Sequence, residues 1–351
     1  MTESDTLADT RRTPSAADLR TALEDATLRA RDLAKSLGVT EADLVAAQVG
    51  HGATRIPADP NRLMPAIRSL GEVMALTRNE SAVNERTGTY DDWHPGDHAA
   101  MILGPEIDLR IFPKHWVHGF ALRNDSGKGP ARGLQIFDAS GEAIHKVYSQ
   151  DGTDLDAWDR AVEGLATGDT RDTLTLDPAP VAEGVRSRPE KAEALRAEWS
   201  RMTDTHQFLR VVSKMKMNRL GAYRIAGAPF ATALPPTALN DALIACGNGA
   251  VPIMLFVGNR GCIQIHSGPI DTLKEVGPWQ NVLDPRFNLH LRLDHVAEVW
   301  LVEKPTKRGA SLSIEAFTET GELILQLFGM RSSAVDHSAA FRTMTEALPR
   351  L

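Results

Sequence analysis

At 351 residues, 42% of them apolar and 24% charged, the chain is long enough for two domains that each bury a core. Its 39 Lys and Arg against 46 Asp and Glu give a formal charge of −7, which argues against a surface built for nucleic acid. No apolar run approaches the ~18 residues that a membrane span requires, and the polar start MTESDTLADTRRTPSAADLR lacks a secretory apolar segment, so a cytoplasmic protein is expected. Two cysteines, Cys246 and Cys262, are too few for a disulfide framework and too far apart for a CxxC motif; buried, reduced thiols are expected.

In chain order, residues 1–14 read as a disordered tail. Ser15 with Asp18 forms a capping-box pattern, and Leu19, Leu23, Leu33 and Leu37 mark an amphipathic helix ending near Gly38. Thr40 opens a second short helix with Leu44, Val45 and Ala46, and a third helical segment runs from Pro60 to about Leu70. Between Val73 and Tyr148 the runs VMALTR, SAVNER, AAMILG, IDLRIF, HWVHGFALR, GLQIFDA and AIHKVY, separated by turn residues, predict an antiparallel sheet, with a hairpin at Asp138-Ala139-Ser140-Gly141. A helix over Leu155 to Leu165 follows, and then a Thr-, Asp-, Pro- and Gly-rich stretch that reads as a linker over 166–189.

The chain repeats itself. An offset of 180 residues aligns 71–148 with 251–328 without a gap, with 13 identities in 78 positions, where composition alone would give about five. The pairs include Asn79 with Asn259, Gly88 with Gly268, His115 with His295 and Gly141 with Gly321. Two copies of this length are a duplicated α+β domain, each copy a large antiparallel sheet with packed helices, over 15–165 and 190–351. The helical preface repeats at an offset of 163, which sets Thr203 opposite Thr40 and His206 opposite Asp43. Where copies share a structural task, positions that differ in chemistry are candidates for function. His206 opposite Asp43, Arg110 opposite His290, Lys304 opposite Asn124 and Arg331 opposite Asp151 are such positions.

With Thr203 as N-cap, His206 is the third residue of the helix that carries Phe208, Leu209, Val211, Val212 and Met215. Facing the positive end of the helix dipole, the imidazole is expected to be neutral, the form that binds a transition metal, although a first-turn histidine can equally have no special role. Met215 and Met217 read as core. No GxSxG, P-loop, HExxH or GxGxxG pattern is present, and the pairs His115 with His118 and His94 with His98 lack carboxylate partners for a zinc site. One imidazole with several cations and aromatics suits a flat, dianionic, mostly apolar metal complex, a description that heme meets.

PIMLFVGNRGCIQIHSGPI at 252–270, GPWQNVLDPRFNLHLRLDHVAEVWLVEKPT at 277–306, NERTGTY at 84–90 and LGPEIDLRIF at 103–112 resemble the cytoplasmic heme-binding proteins of bacterial heme uptake, the HemS, ChuS and PhuS type or hemin-degrading factors. The resemblance covers nearly the whole chain from about residue 20 onward, the duplication included. It implies a tandem α+β fold with one heme b in a cleft on the C-terminal copy, and the histidine of TDTHQF, His206, as axial ligand of the iron. The arginine of IDLRIF, Arg110, would act over the distal face through water, so the first copy would contribute to the site of the second. Arg219 in NRLGAYR, Lys304 in VEKPT and Arg331 in FGMR match cationic pocket residues; Phe256 and Gln326 match lining positions, and Phe328 stands where some relatives have Tyr. The implied functions are two: oxidative degradation of heme with an external reductant, since no flavin or nicotinamide motif is present, or carriage of heme from an inner-membrane heme transporter to a separate heme oxygenase.

Overall fold

The computed structural model describes residues 14–124, 129–332 and 334–351, so the expected tail lies outside it apart from Pro14. The first copy runs α1 (Ala16–Glu24), α2 (Ala30–Leu37), α3 (Glu41–Ala46), β1 (Ala53–Ile56), α4 (Pro60–Arg68), β2 (Gly71–Arg78), β3 (Ala82–Gly88), β4 (Trp93–His94), β5 (Ala100–Leu103), β6 (Asp108–Ile111), β7 (His118–Arg123), β8 (Arg132–Phe137), β9 (Ala143–Thr153) and α5 (Leu155–Leu165). The second runs α6 (Ala192–Ser200), α7 (Gln207–Lys214), α8 (Arg219–Ala226), β10 (Ala231–Leu234), α9 (Ala238–Asn248), β11 (Ile253–Gly258), β12 (Cys262–Gly268), β13 (Leu273–Val276), β14 (Trp279–Asp284), β15 (Phe287–Arg292), β16 (Glu298–Lys304), β17 (Ser311–Phe317), β18 (Leu323–Gly329) and α10 (Ser338–Glu346). None of the described helices is long and apolar enough to cross a membrane.

Local signals set these elements. Ser15 with Asp18 and Thr40 with Asp43 form complete capping boxes, and Gly38, at φ 69°, ends α2 in the left-handed region that glycine adopts without strain. The single helix expected from Ser15 to Gly38 is instead two. Asp25 closes α1 and Arg29 is extended, and this break lets Leu19 and Leu33 pack together with Leu44. The strand expected over 115–123 begins only at His118, because Pro113, which has no N–H for a ladder, leads a 3-10 turn over Pro113–His115.

Two nine-stranded antiparallel sheets result, in the orders β1-β7-β8-β9-β2-β3-β15-β14-β13 and β10-β16-β17-β18-β11-β12-β6-β5-β4. Each sheet therefore takes six strands from one copy and three from the other. β6 pairs with β12, Arg110 opposite Ile263, and β15 pairs with β3, Leu289 opposite Asn84. Both cores are mixed in the same way. Leu255, Leu327, Leu239 on α9 and Phe341 on α10 pack with Ala82, while Val73, Leu134, Leu63 on α4 and Trp158 on α5 pack with Cys262. The two junctions are tied reciprocally. Asn79 Nδ2 donates to the Gly258 and Ile324 carbonyls at 3.1 and 2.8 Å, and its counterpart Asn259 donates to the Arg78 and Ile144 carbonyls at 2.9 and 2.8 Å.

The segment expected as a linker has no helix or strand up to Arg188, yet it is pinned to both copies. Arg55 donates to the Arg171 and Thr173 carbonyls, each at 2.8 Å, and Asn218 Nδ2 donates to the Gly184 carbonyl at 2.6 Å. Gly221 on α8 makes the second contact possible, because a Cβ there would lie 1.8 Å from the Arg186 carbonyl oxygen.

A bonded set of polar groups centred on His145 sits inside the first-copy core. His145 is buried, with Nδ1 2.8 Å from Thr77 Oγ1 and Nε2 2.6 Å from the Tyr90 hydroxyl, and its ring stacks on Trp116. Burial holds its pKa down at about 3, against an ordinary 6.5. The unfolded chain therefore binds a proton that the folded chain refuses between those values. The stability this histidine contributes is present above about pH 6.5 and is lost as the pH falls toward 3. His145→Leu, which installs the residue that Leu325 supplies in the second copy, leaves the buried Tyr90 hydroxyl without its partner and Thr77 Oγ1 with only its 3.5 Å bond to Cys262 Sγ, and is expected to cost about 2–4 kcal/mol near neutral pH. In thermal melts from about pH 7.5 to about pH 4.5, the fall in Tm on acidification is expected to be shallower in the variant than in the parent chain.

Candidate functional site

Cross-strand partners project to the same side of a sheet, so the register of the second sheet assigns its faces. Phe256 faces Gln326, Met254 faces Phe328, Gln326 faces Glu315, and Gly258 faces Ile263, which in turn faces Arg110. On β16 the same side carries Trp300, Val302 and Lys304. Five of the expected site residues, Arg110, Phe256, Lys304, Gln326 and Phe328, thus lie on one face, opposite the core formed with α9 and α10. Arg110 is there only because β6 left its own copy.

Helices α6, α7 and α8 cover one end of this face. Trp199, Phe208 and Tyr223 bury against Trp300, Val302 and Phe317, with Met215 and Met217 in the same core. The Phe208 ring lies 4.5 Å from Trp199 and 5.5 Å from Tyr223. Beneath them is a charged cluster. Glu315, fully buried, accepts from Lys304 Nζ at 2.6 Å, Ser313 Oγ at 2.9 Å, Arg219 Nη1 at 2.9 Å and the Tyr223 hydroxyl at 2.8 Å. Burial pushes the Glu315 carboxyl up, but Lys304 and Arg219 outweigh it and hold it down as the carboxylate. Burial lowers the Lys304 ammonium against the pull of Glu315. The Lys304 and Arg219 cations named from the sequence are therefore already paired. Glu315 is the residue that sequence reasoning missed. A glutamate in a strand reads as solvent-facing, and its one visible signal is that the first copy has Gln135 at that position.

Beyond the covered end, the face is apolar and partly open. Phe256 and Phe328 meet edge to face at 5.1 Å, and both are half-buried. Leu209, the third residue of α7, is 55% exposed.

His206 is not the third residue of its helix. It is the N-cap, at φ −66° and ψ −21°, and α7 begins at Gln207. The Gln207 side chain reaches back to Thr203, accepting from its N–H at 2.9 Å and donating to its hydroxyl at 3.3 Å, so the reciprocal cap closes one residue later than in the first copy. Asp204 completes the turn, accepting from the His206 N–H at 2.8 Å and lying 2.7 Å from Nδ1. The imidazole thus faces a carboxylate rather than free amides, and its side chain is 92% exposed. With Nδ1 donating to Asp204, the ring presents Nε2 as the nitrogen without a described partner, an arrangement that orients a metal-binding imidazole. The missed signal was the Asp-x-His spacing, which makes an Asx turn.

The loop of His206 is fixed to the β16–β17 turn by Lys307, whose N–H donates to the Thr203 carbonyl at 3.0 Å. Arg331 joins the same turn, donating through Nη2 to the Arg308 carbonyl, with the Asp336 carboxylate 3.0 Å from Nε but off its N–H direction. On the far side of the face Arg110 pairs with Asp108 through Nη1 and keeps its other nitrogens free of described partners. Among the described residues no group of three His, Cys, Asp or Glu gathers to cage a bare ion. Cys246 and Cys262 are free and buried, each thiol pushed up to about 12 by burial.

The equivalent face of the first copy is filled. There Lys146 replaces Gln326 and Arg78 replaces Gly258, and both hold the buried Glu41 at the start of α3, Arg78 at 2.6 Å. Tyr148 stands in place of Phe328 and Leu76 in place of Phe256.

The chain was compared with known families and structures. The family model described as the haemin-degrading HemS.ChuX domain matches twice, over 38–165 and 216–348, once in each copy. The hemin transport protein HmuS of Yersinia pestis is 38% identical over 304 residues, covering 86% of this chain and 88% of that protein, and the hemin transport protein HemS of Yersinia enterocolitica is 38% identical over 314 residues, covering 89% and 90%. Among solved structures, holo-PhuS, a heme-binding protein from Pseudomonas aeruginosa, superposes with a TM-score of 0.91 at 39% identity, over 96% of this chain and all of that one. ChuS, described as an E. coli heme oxygenase, superposes with a TM-score of 0.84 at 33% identity, over 94% and 99%. With its duplicated fold, mixed sheets and matches along both copies, the chain belongs to the haemin-degrading HemS/ChuX family.

Proposed function

We propose that this chain binds heme on the open face of the second sheet and opens its ring to release iron, in the cytoplasm. The observation that carries the reading is His206: an exposed imidazole whose Nδ1 is held by Asp204, standing at the edge of an aromatic and aliphatic face. Heme supplies an iron that takes one imidazole, a flat apolar ring, and two carboxylates that take cations. The residues fit each part. His206 is the axial ligand, Phe256, Phe328 and Gln326 line the ring, and Arg219, Lys304 and Arg331 are the cations of the pocket. Arg110, on the exchanged strand, donates hydrogen bonds through water on the side opposite His206 and is the catalytic residue of the reading. Asp204 holds the imidazole in one orientation and strengthens it as a ligand. ChuS, described as a heme oxygenase, supports a degradative role, and electrons come from an external reductant.

One observation favours a carrier that passes heme from the inner-membrane transporter to a separate oxygenase. His206 lies on an exposed turn at 92% exposure, where a ligand can be exchanged, and Phe328 offers no hydroxyl to the face. A single-turnover assay of the heme complex with ascorbate and catalase separates the two. Ring opening predicts loss of the Soret band and a linear tetrapyrrole at a rate that catalase leaves unchanged; a product that vanishes with catalase leaves the carrier. For the ligand itself, His206→Ala is expected to shift the Soret maximum and weaken heme binding by about tenfold or more, as removal of a metal ligand does. An unaltered spectrum and affinity in that variant would sink the assignment.

A further inference from the structure

Arg110 reaches the open face from a strand that carries a second charged residue. Asp108, two positions earlier on β6, lies on the same side of the sheet, but the two stand in different cross-strand rows. Asp108 sits between Leu103 on β5 and Ile265 on β12; Ile265 pairs on with Phe256, which faces Gln326, so this row runs through the lining residues of the proposed site. Arg110 belongs to the next row, between Met101 and Ile263, and that row leads to Gly258. Its guanidinium does not stay there. Nη1 donates to the Asp108 carboxylate and to the Leu109 carbonyl at 3.0 Å, which folds the side chain back along the strand toward the row of Phe256 and Gln326. Nε and Nη2 have no described partner, and the Arg110 side chain keeps 31% exposure against 18% for Asp108.

Burial pushes the Asp108 carboxyl up, against the pull of Arg110. The first copy does without the pair. Asn288 and His290 take these positions there, Asn288 donating to Glu85 at 3.4 Å and His290 lying 2.7 Å from Asn281, each drawn to a neighbouring strand instead. A guanidinium held by one nitrogen presents the rest of its planar fork in a fixed direction.

We propose that Asp108 is a positioning residue for Arg110: by holding Nη1 it draws the guanidinium toward the row of Phe256 and Gln326 and leaves the edge of Nε and Nη2 for a small ligand on the side of the heme iron opposite His206. The inference rests on the heme reading above and adds the residue that sets the reach of its arginine.

The probe is fluoride, an anion that binds ferric heme and accepts hydrogen bonds. The readouts are its dissociation constant from the ferric heme complex at one fixed pH and the charge-transfer band of the fluoride complex, which moves with the hydrogen bonds that fluoride accepts. Arg110→Met is expected to weaken fluoride about tenfold, as loss of a charge-assisted hydrogen bond does, and to move the band. Asp108→Leu, which keeps Arg110 but removes its anchor, weakens fluoride about threefold or more and moves the band the same way; Asp108→Asn, the milder variant, keeps an acceptor oxygen without the charge and weakens it about twofold. With Arg110→Met already in place, neither Asp108 change has a further effect. A carboxylate that acts only through its charge gives the opposite sign, because removing it relieves an anion of repulsion, so tighter fluoride in either Asp108 variant overturns the proposal. An unchanged constant and band in both variants overturns it too, as does an equal loss in the Arg110→Met background. Fluoride binding indifferent to Arg110→Met removes the arginine from that side and the proposal with it while leaving heme binding intact, whereas a parent chain that gives no Soret change on titration with heme removes the reading beneath.

Discussion

The ladder between β6 and β12 is the constraint on which the rest of the structure depends. Backbone groups in a sheet must be paired, and here the pairing of Ile263 with Arg110 and of Gln264 with Leu109 is made between the two copies. Without it the second sheet would end at β12 with an open edge, the core around Leu109 and Ile111 would lose Cys262, and Arg110 would not share a face with Phe256 and Gln326. The reciprocal ladder of β3 with β15 does the same for the first sheet. Because the exchange runs both ways, neither copy has a complete sheet or a complete core of its own, and the face of the proposed site belongs to the whole chain.

Much of this was legible in the residues. The ungapped offset of 180 residues predicted equivalent strands, and the Asn79 and Asn259 identity marks two turns that carry the same reciprocal hydrogen bonds. In the apolar run IMLFVG the structure turns Ile253, Leu255 and Val257 to the core and Met254 and Phe256 to the other face, an assignment that a strand without polar residues does not carry in its sequence. Other features were not legible, for definable reasons. Strand exchange depends on which edge a strand meets, and IDLRIF has the same alternation in either sheet. The start of α7 depends on competition between the Thr203 cap and the Asx turn of Asp204, both of which are good local signals. Glu315 looks like an ordinary polar strand position until Lys304 and Arg219, at separations of 11 and 96 residues, fold against it.

The two copies also show how one scaffold yields two different faces. In the first, Glu41 reaches from α3 to Lys146 and Arg78, and a buried ion cluster occupies the sheet. In the second, the corresponding sheet positions are Gln326 and Gly258, which carry no charge, while Asp204 turns to His206 instead of to the sheet. The charge that closes one face has been moved to the rim of the other. Asp43 remains a capping side chain in α3, whereas its counterpart His206 makes no side-chain capping bond and Gln207 reaches back to Thr203 instead.

Along the approximate twofold relation of the copies, residues meet their own counterparts: Gln264 Nε2 donates to Asn84 Oδ1 at 2.9 Å, Arg86 lies beside His266, and Arg286 pairs bidentately with Glu106. In an assembly of two identical half-chains each of these would be a residue against itself, Glu106 against Glu106 or Arg286 against Arg286, a like-charge contact. Covalent fusion lets the two sides of the axis carry opposite charges. The axis of this protein is therefore a lock that accepts only unlike halves, and separated halves would be complementary partners for each other before they were partners for themselves.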